Sequence, residues 1–368
     1  MVKNIAVLGA GHGGLAFSGH LALKGFEVRL YEDPKLEKNI EEIKAKGGIE
    51  ISGAINGFGK VALASTDISS VLSGAEVIII PVTAFAQRIM FEATLPYLKD
   101  GQIVVYCPGN FAEILSKKIM KEKGVNTDIK LCGTASLPYA THKIGISANK
   151  VEIFSEKVSM PTGCLPAIDT DRVIKVLKEV IPQVNPAKNS LEIGLMNINI
   201  VIHVAAICNA GWIEYTKGNF EFYWHGMTPS VCRVCEKVDE ERIAIGRALG
   251  FELKSTLDIL NEFYPSESAE TYYEFVKDSR AHGGGRPGRW PTSLTANFIS
   301  EEIRVGCVFI SSIGKLLNVP TPTIDSIICL ASVMNEIDYH KKGRSLEHLD
   351  LGGMSKEEII NYVNTGEV

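Results

Sequence analysis

The chain has 368 residues, 45% hydrophobic and 22% charged, enough for two ordinary domains with packed cores. A net charge of −5 without a long basic block argues against a nucleic-acid partner, and eight scattered cysteines in so long a chain suit a reduced compartment better than a disulfide framework. No run reaches about 18 uninterrupted apolar residues, and glycines at once break the short apolar run near the N-terminus, so the expectation is a cytoplasmic protein without signal peptide or membrane span.

The first thirty-odd residues organise the rest. Asn4–Leu8 reads as a strand, Gly9-Ala-Gly-His-Gly-Gly14 as a turn, Leu15–Lys24 as a helix stopped by Gly25, and Phe26–Tyr31 as a second strand ending at Glu32. This is strand, G-x-G-x-x-G, helix, strand, acid: the order of a dinucleotide site. Gly9 allows the tight turn, Gly11 lets backbone approach a pyrophosphate, and Gly14 lets helix and strand pack closely. The helix N-terminus offers N–H groups and a positive dipole end to phosphate, beside His12 and Gly13. Glu32 follows about 20 residues on, where an acid accepts the ribose hydroxyls of NAD and repels a 2′-phosphate. NAD(H) is therefore favoured, while nearby Arg29 and Lys35 keep NADP(H) possible.

Further along, residues 35–48 read as a charged helix and 50–64 as a glycine-rich hairpin. Ala75–Ile80, β-branched from Val77 to Ile80, suits a buried parallel strand, and Pro81 and Thr83 stand at its carboxyl edge, where open α/β sheets bind ligands. A helix over 87–98, a strand over 102–106, a helix after Asn110, strands over 130–134, 151–154 and 159–161, and a helix over 172–180 complete the alternation. The fold class is α/β: a Rossmann domain with a doubly wound, mostly parallel sheet over residues 1–190, then an all-α domain over 191–368.

The second half reads as one long apolar helix over 192–215, an amphipathic helix over 229–249 with Glu240 and Arg242 exposed, and helices over 254–263, 268–277, 299–317, 322–334 and 355–363. Cys232-x-x-Cys235 lies inside a helix with no second pair, so it reads as structural and no metal site is expected. The segment from His282 to Trp290, rich in glycine and arginine, is either a closing lid or a plain connection. The long apolar helices bury against each other or against a second copy, so a homodimer is an open possibility.

Chemistry points to the helix over 192–215. Asn199 and His203 are four residues apart, share one face, and must meet partners on a buried helix. A cleft between the two domains is the expected source of those partners.

The chain resembles the opine dehydrogenase family over nearly its whole length. The resemblance is carried by the glycine motif, Thr134-Ala-Ser-Leu-Pro138, Cys164-Leu-Pro-Ala167, Asn197 to His203 with Asn209-Ala-Gly211, Gly226-Met-Thr-Pro-Ser230, Glu240 to Ala244, Val319-Pro-Thr-Pro-Thr-Ile324 and Gly343-Arg-Ser-Leu346. It implies that an amino acid condenses with an α-keto acid such as pyruvate to an imine, which NAD(P)H reduces to a secondary amine dicarboxylate. It also implies that His203 is the catalytic proton carrier and that Glu302 replaces the family's partner aspartate, with Glu301 as rival.

Two departures concern the substrate. Asn297-Phe298 stands where the family often has Arg-Tyr, and His142 where it tends to carry an arginine; neither replacement grips a carboxylate bidentately. Arg286, Arg289 or Lys143 are the candidates to take over. Besides the opine reaction, a keto-acid/hydroxy-acid dehydrogenase and a non-catalytic NAD-binding sensor fit the same plan.

Overall fold

The computed structural model describes residues 1–145, 149–280 and 291–367, with Asn297 and Phe298 described by their backbone alone. The chain forms two compact units, the first of Met1–Ile193 with Val363–Gly366 and the second containing Gly194–Tyr362.

The first unit is built on an eight-stranded sheet ordered β12-β11-β8-β7-β6-β1-β2-β5. Its strands are β1 (Asn4–Leu8), β2 (Glu27–Tyr31), β5 (Leu63–Ser65), β6 (Val77–Ile80), β7 (Ile103–Tyr106), β8 (Lys130–Thr134), β11 (Met160–Leu165) and β12 (Val184–Pro186). All neighbours are parallel except β8 and β11. β1 lies between β2 and β6, so the strand order reverses at β1 and leaves a crevice beyond its carboxyl end. β6 and β7 are buried along their whole length, as continuous β-branched strands covered on both faces must be.

A second sheet, unforeseen as such, is ordered β4-β3-β10-β9 and consists of β3 (Gly48–Gly53), β4 (Gly57–Lys60), β9 (Tyr139–Lys143) and β10 (Lys150–Glu156). The hairpin expected over 50–64 is its β3–β4 pair, but β9 and β12 carried no visible strand signal. The helix His12–Leu23 packs against strands of both sheets, which is why it is buried from Gly13 to Leu21 rather than amphipathic. Small residues permit that. A Cβ on Gly59 would stand 2.1 Å from the Gly19 carbonyl oxygen, and one on Gly19 would stand 2.8 Å from Ile51 Cδ1. The helix expected over 35–48 is instead a 3₁₀ segment, Pro34–Asn39, and a short α-helix, Glu41–Lys46, broken at Ile40 and stopped by Gly47 with φ +72°.

The second unit is helical, and two expectations are corrected in it. The long helix over 192–215 is interrupted, running as Ser190–Leu195, Asn199–Ile202, Ala205–Cys208 and Ala210–Thr216. The Asn197 side chain accepts from the Asn199 N–H at 3.1 Å, competing with the helical pattern at the first break. Ser190–Cys208 is long and apolar enough to cross a membrane by composition, but most of it is buried inside the structure, as a core segment would be. Arg242, expected on the exposed face of Pro229–Ala248, is fully buried. It lies in the core stripe with Cys235, Val238 and Ile245, where Asp239 at 2.7 Å and the carbonyls of Leu195 (2.8 Å) and Lys254 (2.7 Å) compensate its charge. Cys232 and Cys235 are buried free thiols on the same helix, and Glu241 accepts from the N–H groups of Thr323 (2.8 Å) and Ile324 (3.0 Å) at the start of Pro322–Asn335.

Candidate active site

In the first unit the carboxyl ends of β1, β2 and β6 form a cradle. Gly9 has φ +103°, and its N–H donates to the Tyr31 carbonyl at 2.8 Å, tying the end of β1 to β2. A Cβ on Gly14 would stand 1.7 Å from the Gly9 carbonyl oxygen, so turn and helix meet backbone to backbone. A Cβ on Gly13 would reach Leu137 Cδ1 at 2.9 Å and Pro81 at 3.3 Å. Off Gly11, among the described residues, nothing lies within 4 Å of a Cβ and no side chain caps the helix. The combination is an open cradle lined by helix-terminal N–H groups, the arrangement a pyrophosphate requires. Thr83 starts the next helix, Ala84–Thr94, at the same edge.

Glu32 is 4% exposed and held by three donors. Oε2 accepts from Ala10 N at 3.2 Å and Asn39 Nδ2 at 2.9 Å, and Oε1 accepts from Asp33 N at 2.9 Å. Arg29 does not offset this acid, since its guanidinium is engaged by Glu27 and by the carbonyls of Ser70 (3.1 Å) and Ser73 (2.7 Å). His12 Nδ1 accepts from Lys143 N at 2.7 Å, and its ring stacks on His142 with centroids 4.7 Å apart. Burial, then the charges of His142 and Lys143, lowers the His12 pKa to about 4, so it is a neutral acceptor at pH 7. His142 and Lys143, considered above as replacements for a substrate-gripping arginine, thus have their contacts at the glycine motif.

Sequence inspection missed one feature of this edge. Asn110 and Phe111, just beyond β7, both adopt positive φ (+54° and +63°), and Phe111 is 1% exposed. Two consecutive buried non-glycine residues in the left-handed region mark stored strain of the kind found at functional sites. Only the Pro-Gly-Asn sequence before Phe111 hinted at an unusual turn.

In the second unit His203 ends the short helix Asn199–Ile202, and Glu302 opens a π-helical turn, Glu302–Cys307, inside the helix expected over 299–317. His203 Nδ1 lies 3.3 Å from Glu302 Oε1, with side chains 11% and 6% exposed. The Asn199 side chain hydrogen-bonds Glu302. Glu302, from within the helical unit, is thus a shared partner of Asn199 and His203. Burial pushes the His203 pKa down to about 3 and that of Glu302 up to about 8, the Asn199 bond opposing the latter. Near neutral pH both groups are uncharged, the imidazole keeping one N–H and the carboxyl its O–H.

The geometry is held from both sides. A Cβ on Gly306 would stand 2.3 Å from Ile200 Cγ1, so the missing side chain lets the π-turn close on the segment carrying His203. Arg344 N donates to the Arg304 carbonyl at 2.8 Å, and Arg304 Nε to the Lys342 carbonyl at 2.9 Å. Tyr223 and Cys307 feel the Glu302 charge; burial and that charge both raise their pKa values. Neither had a sequence signal. Asn209, by contrast, has a structural task, donating to the Ala205 (2.8 Å) and Gly226 (3.1 Å) carbonyls. Asn297 begins the helix Asn297–Glu301, while Arg286 and Arg289 lie outside the described residues.

Two family models match different parts of the chain. Residues 186–335 match the family model for the NAD/NADP octopine/nopaline dehydrogenase alpha-helical domain, and residues 4–127 that for the N-terminus of NAD-dependent glycerol-3-phosphate dehydrogenase. The chain is 33% identical over 364 residues to the opine dehydrogenase of Arthrobacter sp. (strain 1C), covering 98% of this chain and 99% of that one. It is 23% identical to the octopine dehydrogenase of Mizuhopecten yessoensis, covering 90% of each. In fold it is similar to octopine dehydrogenase solved with NADH and L-arginine, with a TM-score of 0.74 at 18% identity, covering 100% and 98% of the two chains. It is also similar to NADP⁺-bound yersinopine dehydrogenase, with a TM-score of 0.65 at 13% identity and 99% and 98% covered. The chain belongs to the opine dehydrogenase family, NAD(P)-dependent oxidoreductases acting on CH–NH bonds.

Proposed function

We propose that, in the reductive condensation of an amino acid with an α-keto acid such as pyruvate, His203 is the proton carrier and Glu302 its partner. The observation that supports this is the 3.3 Å contact between the two side chains at a nearly buried position. The amine adds to the keto carbon, the resulting hydroxyl leaves as water, and the imine is reduced to a secondary amine. Loss of that hydroxyl requires a proton from the protein, and the reverse reaction must return one. With Glu302 protonated, rotation of its O–H toward Nδ1, 3.3 Å away, would leave Nε2–H as the donor to the reacting heteroatom. As that proton leaves, the Glu302 proton passes to Nδ1, so the imidazole never carries an isolated charge in a site that disfavours one. The glycine cradle would hold the reduced dinucleotide by its pyrophosphate, and the nicotinamide would supply the hydride.

This relay has a pH signature. Glu302 is raised from 4.5 to about 8, so the pair loses its proton as pH rises through about 8. Reductive kcat/KM is expected to fall on that alkaline limb. Glu302→Gln should lower the rate about 10²-fold and abolish the limb, as removal of a proton-transfer partner does. Stability follows the same sign: the folded state binds the extra proton between pH 4.5 and about 8, so the wild-type chain loses stability as pH rises through this window. Glu302→Gln should lose less melting temperature between pH 6 and pH 9. An alkaline limb that persists in the variant would contradict the assignment.

NADH is the preferred cofactor in this proposal. Three N–H donors fix the Glu32 carboxylate as an acceptor for ribose hydroxyls. Glu32→Ala is expected to weaken NADH binding about tenfold, the loss of one charge-assisted contact, and to narrow the preference over NADPH. Titration with both dinucleotides checks this, and an unchanged NADH affinity would remove the ribose role.

A further inference from the structure

Glu32 does not stand alone at the ribose end of the cradle. Asn39 Nδ2 donates to Glu32 Oε2 at 2.9 Å, and Asn39 Oδ1 accepts from Lys143 Nζ at 3.2 Å. One side-chain amide thus bridges a carboxylate and an ammonium. Lys143 arrives from β9, more than a hundred residues away in sequence, and its backbone N–H is anchored on His12 of the glycine motif at 2.7 Å. The two near-sequence cations fail to occupy this place. Arg29 is engaged by Glu27, Ser70 and Ser73, and Lys35 sits exposed beyond Asp33.

We propose that Lys143 is a cofactor-binding residue that sets how strongly the site discriminates against a 2′-phosphate. This rests on the dinucleotide reading of the cradle. With a ribose carrying free hydroxyls, Glu32 accepts from them and Lys143 stays on Asn39. With a 2′-phosphate, the lysine stem swings its ammonium from Asn39 to the phosphate and offsets the repulsion from Glu32. A lysine suits this switch because its ammonium is a compact charge with three donors on a flexible stem. The partly buried position strengthens the pairing relative to one in open water.

The test is calorimetric binding of ADP-ribose and 2′-phospho-ADP-ribose to the full chain, which reads the adenosine end without catalysis. Lys143→Met is expected to weaken the 2′-phosphorylated ligand about tenfold or more, and ADP-ribose by about twofold or less. Lys143→Arg should restore most of the binding of the phosphorylated ligand. Equal weakening of both ligands, or no change in either, would overturn the proposal while leaving the cradle a dinucleotide site. Failure of the wild-type chain to bind either ligand would overturn the dinucleotide reading, and this inference with it.

Discussion

His203→Ala is expected to reduce kcat for reductive condensation about 10²–10⁴-fold, the range for loss of a positioned acid–base group, while NADH affinity stays within about twofold. The two readouts separate because the imidazole belongs to the helical unit and the glycine cradle to the other. The substitution leaves Glu302 buried without its imidazole partner. Burial already holds that carboxyl in its neutral form up to about pH 8, and Asn199 still hydrogen-bonds it, so the fold is expected to tolerate the change. His203→Gln keeps more of the volume and guards against packing loss as the explanation. Steady-state kinetics and cofactor titration on both variants check this; full activity of either would remove His203 from the chemistry.

Gly14→Ala carries the largest expected effect on the cofactor side. Its Cβ would lie 1.7 Å from the Gly9 carbonyl oxygen, a clash of backbone with backbone that no rotamer relieves. The helix start must move off the turn, at a cost of about 3 kcal/mol, and the N–H groups facing the cradle move with it. Both melting temperature and NADH binding should fall. Gly11→Ala is the informative contrast. Its Cβ would meet nothing within 4 Å among the described residues and its φ of −77° suits any residue, so the fold should be unperturbed. If that space receives the pyrophosphate, as the dinucleotide reading proposes, the methyl obstructs it and NADH binding should fall alone. Unchanged binding in Gly11→Ala would mean that the open space is not the phosphate site.

The parts of the molecule legible in sequence are those where function and local pattern coincide. The strand–glycine–helix–strand order and Glu32 lie within one short stretch, and β6 announces itself by continuous burial. The spacing of Asn199 and His203 identified a polar face, and the resemblance supplied Glu302, which the geometry joins to that face. What escaped notice depends on remote pairing. β9 is short and mixed in composition, so neither its sheet nor the approach of Lys143 to Asn39 could be read from neighbours in sequence. The break at Asn197 and the π-turn at Glu302 leave composition unchanged and alter only hydrogen-bond register. Arg242 is buried against the preference of its residue type because its position falls in the core stripe.

The most direct measurement is NADH oxidation by the purified chain with pyruvate, in the presence and absence of a panel of amino acids, with the product identified by mass. The account predicts oxidation that requires both partners and a product with the mass of the reduced condensation adduct. Oxidation by pyruvate alone, with no dependence on any amine and hydroxy acid as product, would contradict it and make the chain a keto-acid reductase built on the same two units.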